Sequence, residues 1–272
     1  MTPFLIILCI LIVLSVLYLL ALKGRSNTDM SDFENYDFAH RGLFKKDVIP
    51  ENSMAAFKMA IDNGFGVELD VHLLADGGLA VFHDATLKRM TGVDRKIADI
   101  TTDELGMYYL DNTSETIPNF YDVLKLFDGK VPLIIELKAF DKQYPELCKT
   151  VCDALDNYNG KYCIESFDPR CILWLKKNRP DIIRGQLSQN YFHSTSVKSF
   201  FAKLFLTSLV TNFFNKPDFI AYNHTERGTF PYQLAKKLWK VNGVGWTIRS
   251  QHDLDETHKN DEIAIFEGFI PE

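Results

Sequence analysis

DFAHRGLFKKDVIPENSMAAFKMAIDNGFGVELDVH (Asp37–His72) carries the pattern of the whole fold in one unit. A short apolar run at 37–39 ends in His40-Arg41-Gly42. A helical segment at 54–63 follows, with Asn52 or Ser53 as its cap, and a second run at 66–72 passes through Glu68-Leu69-Asp70-Val71-His72. Residues i and i+2 of an extended strand share a side, so Glu68, Asp70 and His72 project from one face. Strand, helix and strand in succession imply parallel strands joined by a crossover helix.

The rhythm continues to the C-terminus. Further runs at 131–137, 162–166, 184–188, 218–221, 243–248 and 263–267 bring the strands to eight, with helical segments from Tyr144 to Asn157, at 170–178 behind Asp168-Pro169, and at 196–214, 231–240 and 252–259. Eight such units in 36–272 predict an α/β fold, a closed (β/α)8 TIM barrel; a doubly wound open sheet is the alternative. One interval is too long for a single helix. After the second strand, Asp76-Gly77-Gly78 reads as a tight turn returning the chain as an extra strand at 79–82. Residues 85–118 then form an inserted loop or small subdomain, with a short helix near 101–106.

Chemistry-bearing residues end the apolar runs. His40-Arg41 sets a proton carrier beside a fixed positive charge, which suits chemistry on an anion such as a phosphate. Glu51-Asn52 follows Pro50, Val81-Phe82 leads into His83-Asp84, and Ile134-Ile135 leads into Glu136-Leu137-Lys138. Taken in order, His40-Arg41-Gly42, Pro50-Glu51-Asn52, Glu68-Leu69-Asp70, His83-Asp84 and Glu136-Leu137-Lys138 resemble the glycerophosphodiester phosphodiesterase family. The resemblance covers nearly all of 36–272.

The resemblance implies a metal-dependent hydrolase on a β/α barrel that cleaves glycerophosphodiesters to glycerol 3-phosphate and an alcohol. The residues agree with it. Glu68, Asp70 and Glu136 form a carboxylate cluster on neighbouring strands; like charges need a cation, and all-oxygen donors favour Ca2+ or Mg2+. The competing reading pairs those carboxylates with Arg and Lys alone. His40 and His83 serve as general acid and base, their assignment left open. Arg41 and Lys138 offer phosphate contacts or orient the carboxylates, and Glu51 and Asn52 support the site, Asn52 either capping a helix or holding Glu68. Trp246 resembles the family's pocket-bordering Trp, with core packing as its other reading. His72 lies outside the family's essential set. At the eighth strand, Phe266-Glu267-Gly268-Phe269 replaces the family's Asp-containing motif, which puts any contact there in doubt. A lysophospholipase D-like or cyclising phosphodiesterase and a non-catalytic phosphodiester-binding membrane module are the alternatives.

Residues 3–22 (PFLIILCILIVLSVLYLLAL) carry no charge and have the length of a bilayer-spanning helix; a cleaved signal peptide is the competing reading. Residues 23–35 read as a polar linker and 36–272 as the barrel domain. Lys23 and Arg25 follow the span and no Lys or Arg precedes it, which favours a single-pass N-terminal membrane anchor with a cytoplasmic catalytic domain. Cys148, Cys152, Cys163 and Cys171 read as buried apolar residues rather than a disulfide or zinc framework. A net charge of −6 without a basic cluster excludes nucleic acid as the partner. Phe200 to Phe214 (FFAKLFLTSLVTNFF) reads as an ordinary buried barrel helix, with contact to a bilayer as the second choice.

Overall fold

The computed structural model describes residues 2–25, 28–195 and 197–272; positions 26 and 27 of the expected linker and position 196 of the expected helix lie outside the described residues. Nine strands follow in chain order: β1 (Phe38–His40), β2 (Gly66–Leu73), β3 (Leu79–Val81), β4 (Leu133–Leu137), β5 (Tyr162–Ser166), β6 (Arg184–Ser188), β7 (Phe219–Asn223), β8 (Asn242–Ile248) and β9 (Glu262–Phe266). Parallel pairing runs β1-β9-β8-β7-β6-β5-β4-β2, and β1 also pairs with β2, which closes the eight-stranded barrel. The open sheet is thereby excluded. β3 hangs from β2 as an antiparallel hairpin arm, as the Asp76-Gly77-Gly78 turn predicts.

Each strand is apolar on both sides for different reasons. Val67, Leu69 and Val71 point outward with Ile135 and Leu137 into the layer beneath the helices. Their inward neighbours divide by height. Phe38, Ile134, Cys163, Leu187, Phe219, Val244, Ile263 and Ile265 fill the barrel's lower interior. Polar residues occupy the upper level, where strands end and active sites of this architecture lie.

The segment 28–35 is more than a tether. Met30 and Phe33 are buried in the interior cluster with Phe38 and Phe219, and the Phe33 and Phe38 rings stack at 6.3 Å. They plug the barrel floor. Helix boundaries follow local chemistry: Ser53, not Asn52, caps Met54–Asp62 by accepting from the Ala56 N–H at 3.1 Å, a bond of the kind that contributes about 1 kcal/mol.

Two helical expectations change. The sequence reading assigned no element to Phe120–Phe127, a helix capped by Asn119 that buries Phe120, Val123, Leu124 and Phe127. That spacing is helical, but it follows so closely on the insertion that it reads as its tail. The expected helix at 196–214 is two short ones, Phe200–Thr207 and Asn212–Asn215, separated where Leu209 adopts a left-handed conformation (φ 57). The insertion folds on its own small core of Leu87, Met90, Ile97, Ile100, Leu105 and Leu110, packed beside β3.

Because Phe219 is fully buried at the plugged end, Phe219→Ala is expected to cost about 3–5 kcal/mol of stability, read as a lower midpoint of thermal or denaturant unfolding. A loss below about 1 kcal/mol would show that the floor is not close-packed.

Candidate active site

The upper interior follows directly from strand register. His40 on β1 stands beside Glu68 on β2, and one step higher Asp70, Glu136 and Glu165 lie side by side on β2, β4 and β5. All face inward because each lies two residues above an inward apolar residue or another inward acid. Oxygen atoms of Glu68, Asp70 and Glu136 come within 4.8 Å of one another. Donors bound to one Ca2+ or Mg2+ at about 2.0–2.6 Å must be no more than about 5 Å apart, so the three carboxylates fit such an ion.

The charges are tightly held. Lys138 reaches back between two strands, its Nζ 2.9 Å from Asp70 Oδ1 and 2.8 Å from Glu136 Oε2. Asn52 donates from Nδ2 to Asp70 Oδ2 at 2.8 Å, and Arg41 Nε lies 3.5 Å from the same oxygen. Asn52 thus holds Asp70 rather than capping the helix or holding Glu68. Burial resists ionisation of Asp70, but Lys138 and Arg41 outweigh it and keep the carboxyl well below the usual range. Glu68 has the opposite fate: burial, then repulsion from Asp70 and Glu136, pushes it well up. Burial also raises Glu136 and Glu165. A cluster whose acids are shifted upward for want of positive charge is a donor set that a divalent cation satisfies.

A second ring of ion pairs surrounds it. Arg41 Nη1 donates to Glu51 Oε1 at 2.8 Å, Arg89 donates from Nη2 to the same oxygen at 2.6 Å, and Arg89 Nε reaches Asp84 Oδ2 at 2.7 Å. Asp84 Oδ1 in turn lies 2.7 Å from His83 Nδ1. Glu51 therefore acts through two arginines. The backbone of Arg41 sits in the left-handed region (φ 58), where its N–H donates to the Glu68 backbone oxygen at 2.8 Å. Gly42 (φ 81) follows, and a Cβ there would lie 2.9 Å from Ala56, so glycine is required by both conformation and space.

His40 has a carboxylate partner that sequence reading left in doubt. Its Nδ1 lies 2.5 Å from Glu267 Oε2, and Arg249 Nη2 pairs with Glu267 Oε1 at 2.6 Å. Burial lowers the His40 pKa, with the bond to Glu267 opposing. Glu267 lies two residues beyond inward Ile265, so the alternation that places Glu136 and Lys138 also places it. Glu165 follows Cys163 by the same rule. Arg89 and Arg249 carry no comparable signal, because loops bring them in. His72 is buried apart from this cluster, stacked on Phe140 at 5.1 Å and pushed down to about 4 by burial; its Nε2 lies 3.2 Å from the His83 carbonyl oxygen.

A cleft of about 330 Å³ at the mouth is lined by His40, Arg41, His83, Glu136, Lys138 and Trp246 among others. Trp246 stands edge-on to Phe167 at 5.5 Å, and its buried indole N–H has no partner among the described residues. One wall of the cleft is therefore aromatic. Removing the Glu267 charge withdraws what favours a charged imidazole. Glu267→Gln is thus expected to lower the His40 pKa further, read by NMR of labelled histidine; an unchanged or raised value would contradict the pairing.

The Glycerophosphoryl diester phosphodiesterase family matches residues 40–260. The chain is 36% identical over 161 residues to a glycerophosphodiester phosphodiesterase from Caldanaerobacter subterraneus, covering 56% of this chain and 65% of that protein. It is 40% identical over 143 residues to a lysophospholipase D from Mus musculus, covering 48% of this chain and 44% of that one. The matched stretch is thus under two thirds of either relative. A phosphodiesterase from Oleispira antarctica, solved with its product sn-glycerol-3-phosphate, superposes with a TM-score of 0.69 at 21% identity, covering 85% of this chain and 92% of that one, and shares the barrel fold.

Proposed function

The chain belongs to the glycerophosphoryl diester phosphodiesterase family, and from that premise we propose that it hydrolyses glycerophosphodiesters to glycerol 3-phosphate and an alcohol at the cleft between His40 and His83. The observation that carries the reading is the meeting of two carboxylate-paired histidines, three clustered acids and two cations at one barrel mouth. Glu68, Asp70 and Glu136 would hold a divalent cation, Ca2+ or Mg2+ by their all-oxygen donors, which would supply Lewis acidity when bound.

The side chains do the rest. His40, kept neutral by burial, takes the proton of the attacking water as its oxygen bonds to phosphorus. His83, oriented by its Nδ1 contact with Asp84, returns a proton to the alcohol oxygen as the phosphorus–oxygen bond to it breaks. Arg41 and Lys138 bind the anionic oxygens, and Trp246 borders the substrate with its ring. Glu51 and Asn52 hold Arg41 and Asp70 in place.

A lysophospholipid substrate is a second reading, supported by the matching lysophospholipase D and by Pro3–Ala21, the one helix among the described residues long and apolar enough to cross a membrane. In this reading residues 3–22 anchor the protein, 23–35 join the span to the barrel at 36–272, and Lys23 and Arg25 favour a cytoplasmic catalytic domain. A signal sequence passes the same test of length and composition.

The full chain is expected to release glycerol 3-phosphate from sn-glycero-3-phosphocholine, with His40→Ala or His83→Ala lowering kcat by about 10²–10⁴-fold. Chelation is expected to abolish turnover, restored by Ca2+ or Mg2+; full activity in both chelator and Glu68→Ala would exclude the metal role. Phosphorus NMR separates a free phosphomonoester from a cyclic product.

A further inference from the structure

The helix Phe200–Thr207 buries none of its residues. An ordinary outer helix of this barrel, Tyr144–Leu155, buries Leu147, Cys148, Val151 and Cys152 along one stripe. On Phe200–Thr207, by contrast, Phe200 is 62% exposed, Phe201 79%, Leu204 48% and Phe205 47%. Positions 201, 204 and 205 share one helical face. Just beyond the left-handed Leu209, Phe213 and Phe214 are 49% and 56% exposed. The expectation that 200–214 packs as one buried helix is overturned for Phe200–Thr207 and Phe213-Phe214; within the segment Leu209, with the incoming Leu22, covers β7.

Two observations say what covers this face. The first is its place beside the apolar helix Pro3–Ala21. Tyr18 donates from Oη to the Ser208 carbonyl at 3.2 Å, and Trp239 donates from Nε1 to the Leu19 carbonyl at 2.7 Å. The exposed aromatic residues therefore lie beside the point where that helix leaves the domain. The second is charge. Residues 191–217 contain Lys198, Lys203 and Lys216 and no acid, in a chain whose net charge is −6. Lys216 donates from Nζ to the Lys23 carbonyl at 3.0 Å and stands 5.5 Å over Phe213, while Lys176 donates to the Phe214 carbonyl at 2.6 Å. Aromatic side chains rimmed by lysines suit the interface of an anionic bilayer, where rings sit at headgroup depth and ammonium groups meet phosphates.

We propose that Phe200–Thr207 and Phe213-Phe214 form a second membrane contact, seated in the interface of a bilayer containing anionic lipid beside the anchor. The proposal rests on the reading of Pro3–Ala21 as that anchor. It also sets the direction of the barrel mouth. β6 ends at Ser188 in the mouth, Tyr191 is buried just after it, and the next residue, Phe192, meets Phe200 edge-on at 5.7 Å. Eight helical residues span about 12 Å, so the helix runs from Phe192, just beyond the mouth, to Ser208, where Tyr18 of the apolar helix docks. A single flexible span leaves the mouth free to turn, whereas two contacts hold it at the lipid surface. A phosphodiester whose acyl chain stays in the bilayer can then reach the site without leaving it.

The test places one environment-sensitive nitrobenzoxadiazole label at a time in the full chain, in a Cys9→Ser background, reconstituted in phosphatidylcholine vesicles containing phosphatidylglycerol. Labels go at Phe201→Cys, Ile12→Cys and, as the exposed reference, Tyr121→Cys. Position 201 is expected to emit blue-shifted light and to be quenched by spin-labelled lipid, unlike position 121. Water-like emission at 201 overturns the proposal, and so does a blue shift without lipid quenching, which marks a second protein copy on this face. Position 12 reports the anchor independently, so failure of the anchor and failure of the patch are told apart. In Phe201→Glu/Phe205→Glu, kcat/KM for a vesicle-embedded lysophospholipid is expected to fall at least tenfold while hydrolysis of water-soluble sn-glycero-3-phosphocholine is unchanged. Equal rates on the embedded substrate overturn the inferred orientation of the mouth.

Discussion

Everything at the barrel mouth depends on one electrostatic constraint: several carboxylates share a space from which water is largely excluded. Asp70 is fully buried, and Glu68, Glu136 and Glu165 are nearly so. Isolated buried charges cost several kcal/mol each, so the cluster exists only because positive charge is delivered to it. Lys138 and Arg41 deliver part. The upward pKa shifts of Glu68 and Glu136 mark negative charge that these two cations leave uncompensated, in a carboxylate cluster whose spacing fits a divalent ion. One strand pair, β2 with β4, sets this geometry, and the neighbouring loops serve it.

The loops add a restraint of a different kind. Glu51 and Asp84 are bridged by Arg89 from the insertion, so the loop that carries Arg41 and the turn that carries His83 are joined across the mouth. Glu267 and Arg249 fix His40 from the other side. Each histidine therefore has one ring nitrogen committed to a carboxylate. Orientation of this kind fixes the tautomer and leaves the other nitrogen for the substrate.

The lower half of the barrel answers a separate demand. Phe219, Phe38 and Phe33 fill it with apolar volume, and the chain entering from the N-terminal helix supplies the plug. Structure before the first strand is thus part of the domain core. The same entry path lays the apolar helix beside the exposed Phe200–Thr207 face, so the barrel floor and this exposed aromatic surface are linked through a few residues.

Strand order and the inward acids were legible in sequence because both follow local rules. Alternation with period two puts Glu68, Asp70, Glu136 and Lys138 on the inner face, and repeated strand–helix units leave few closures of the sheet. Applied to Ile265 and Cys163, that rule also finds Glu267 and Glu165. Arg89 and Arg249 follow no such rule, since an arginine on a loop can reach any side. The Phe200–Phe214 segment shows the same limit: its composition suits a buried helix or a membrane surface equally, and only the packing of Leu209 and Leu22 beneath it leaves the aromatic face outside. By itself the sequence determined the barrel, its eight strands and the acids and histidines at their ends, because strand period and helix caps act over a few residues. Tertiary structure alone decided how those charges pair and which apolar faces stay uncovered, because pairing and burial depend on neighbours distant in the chain.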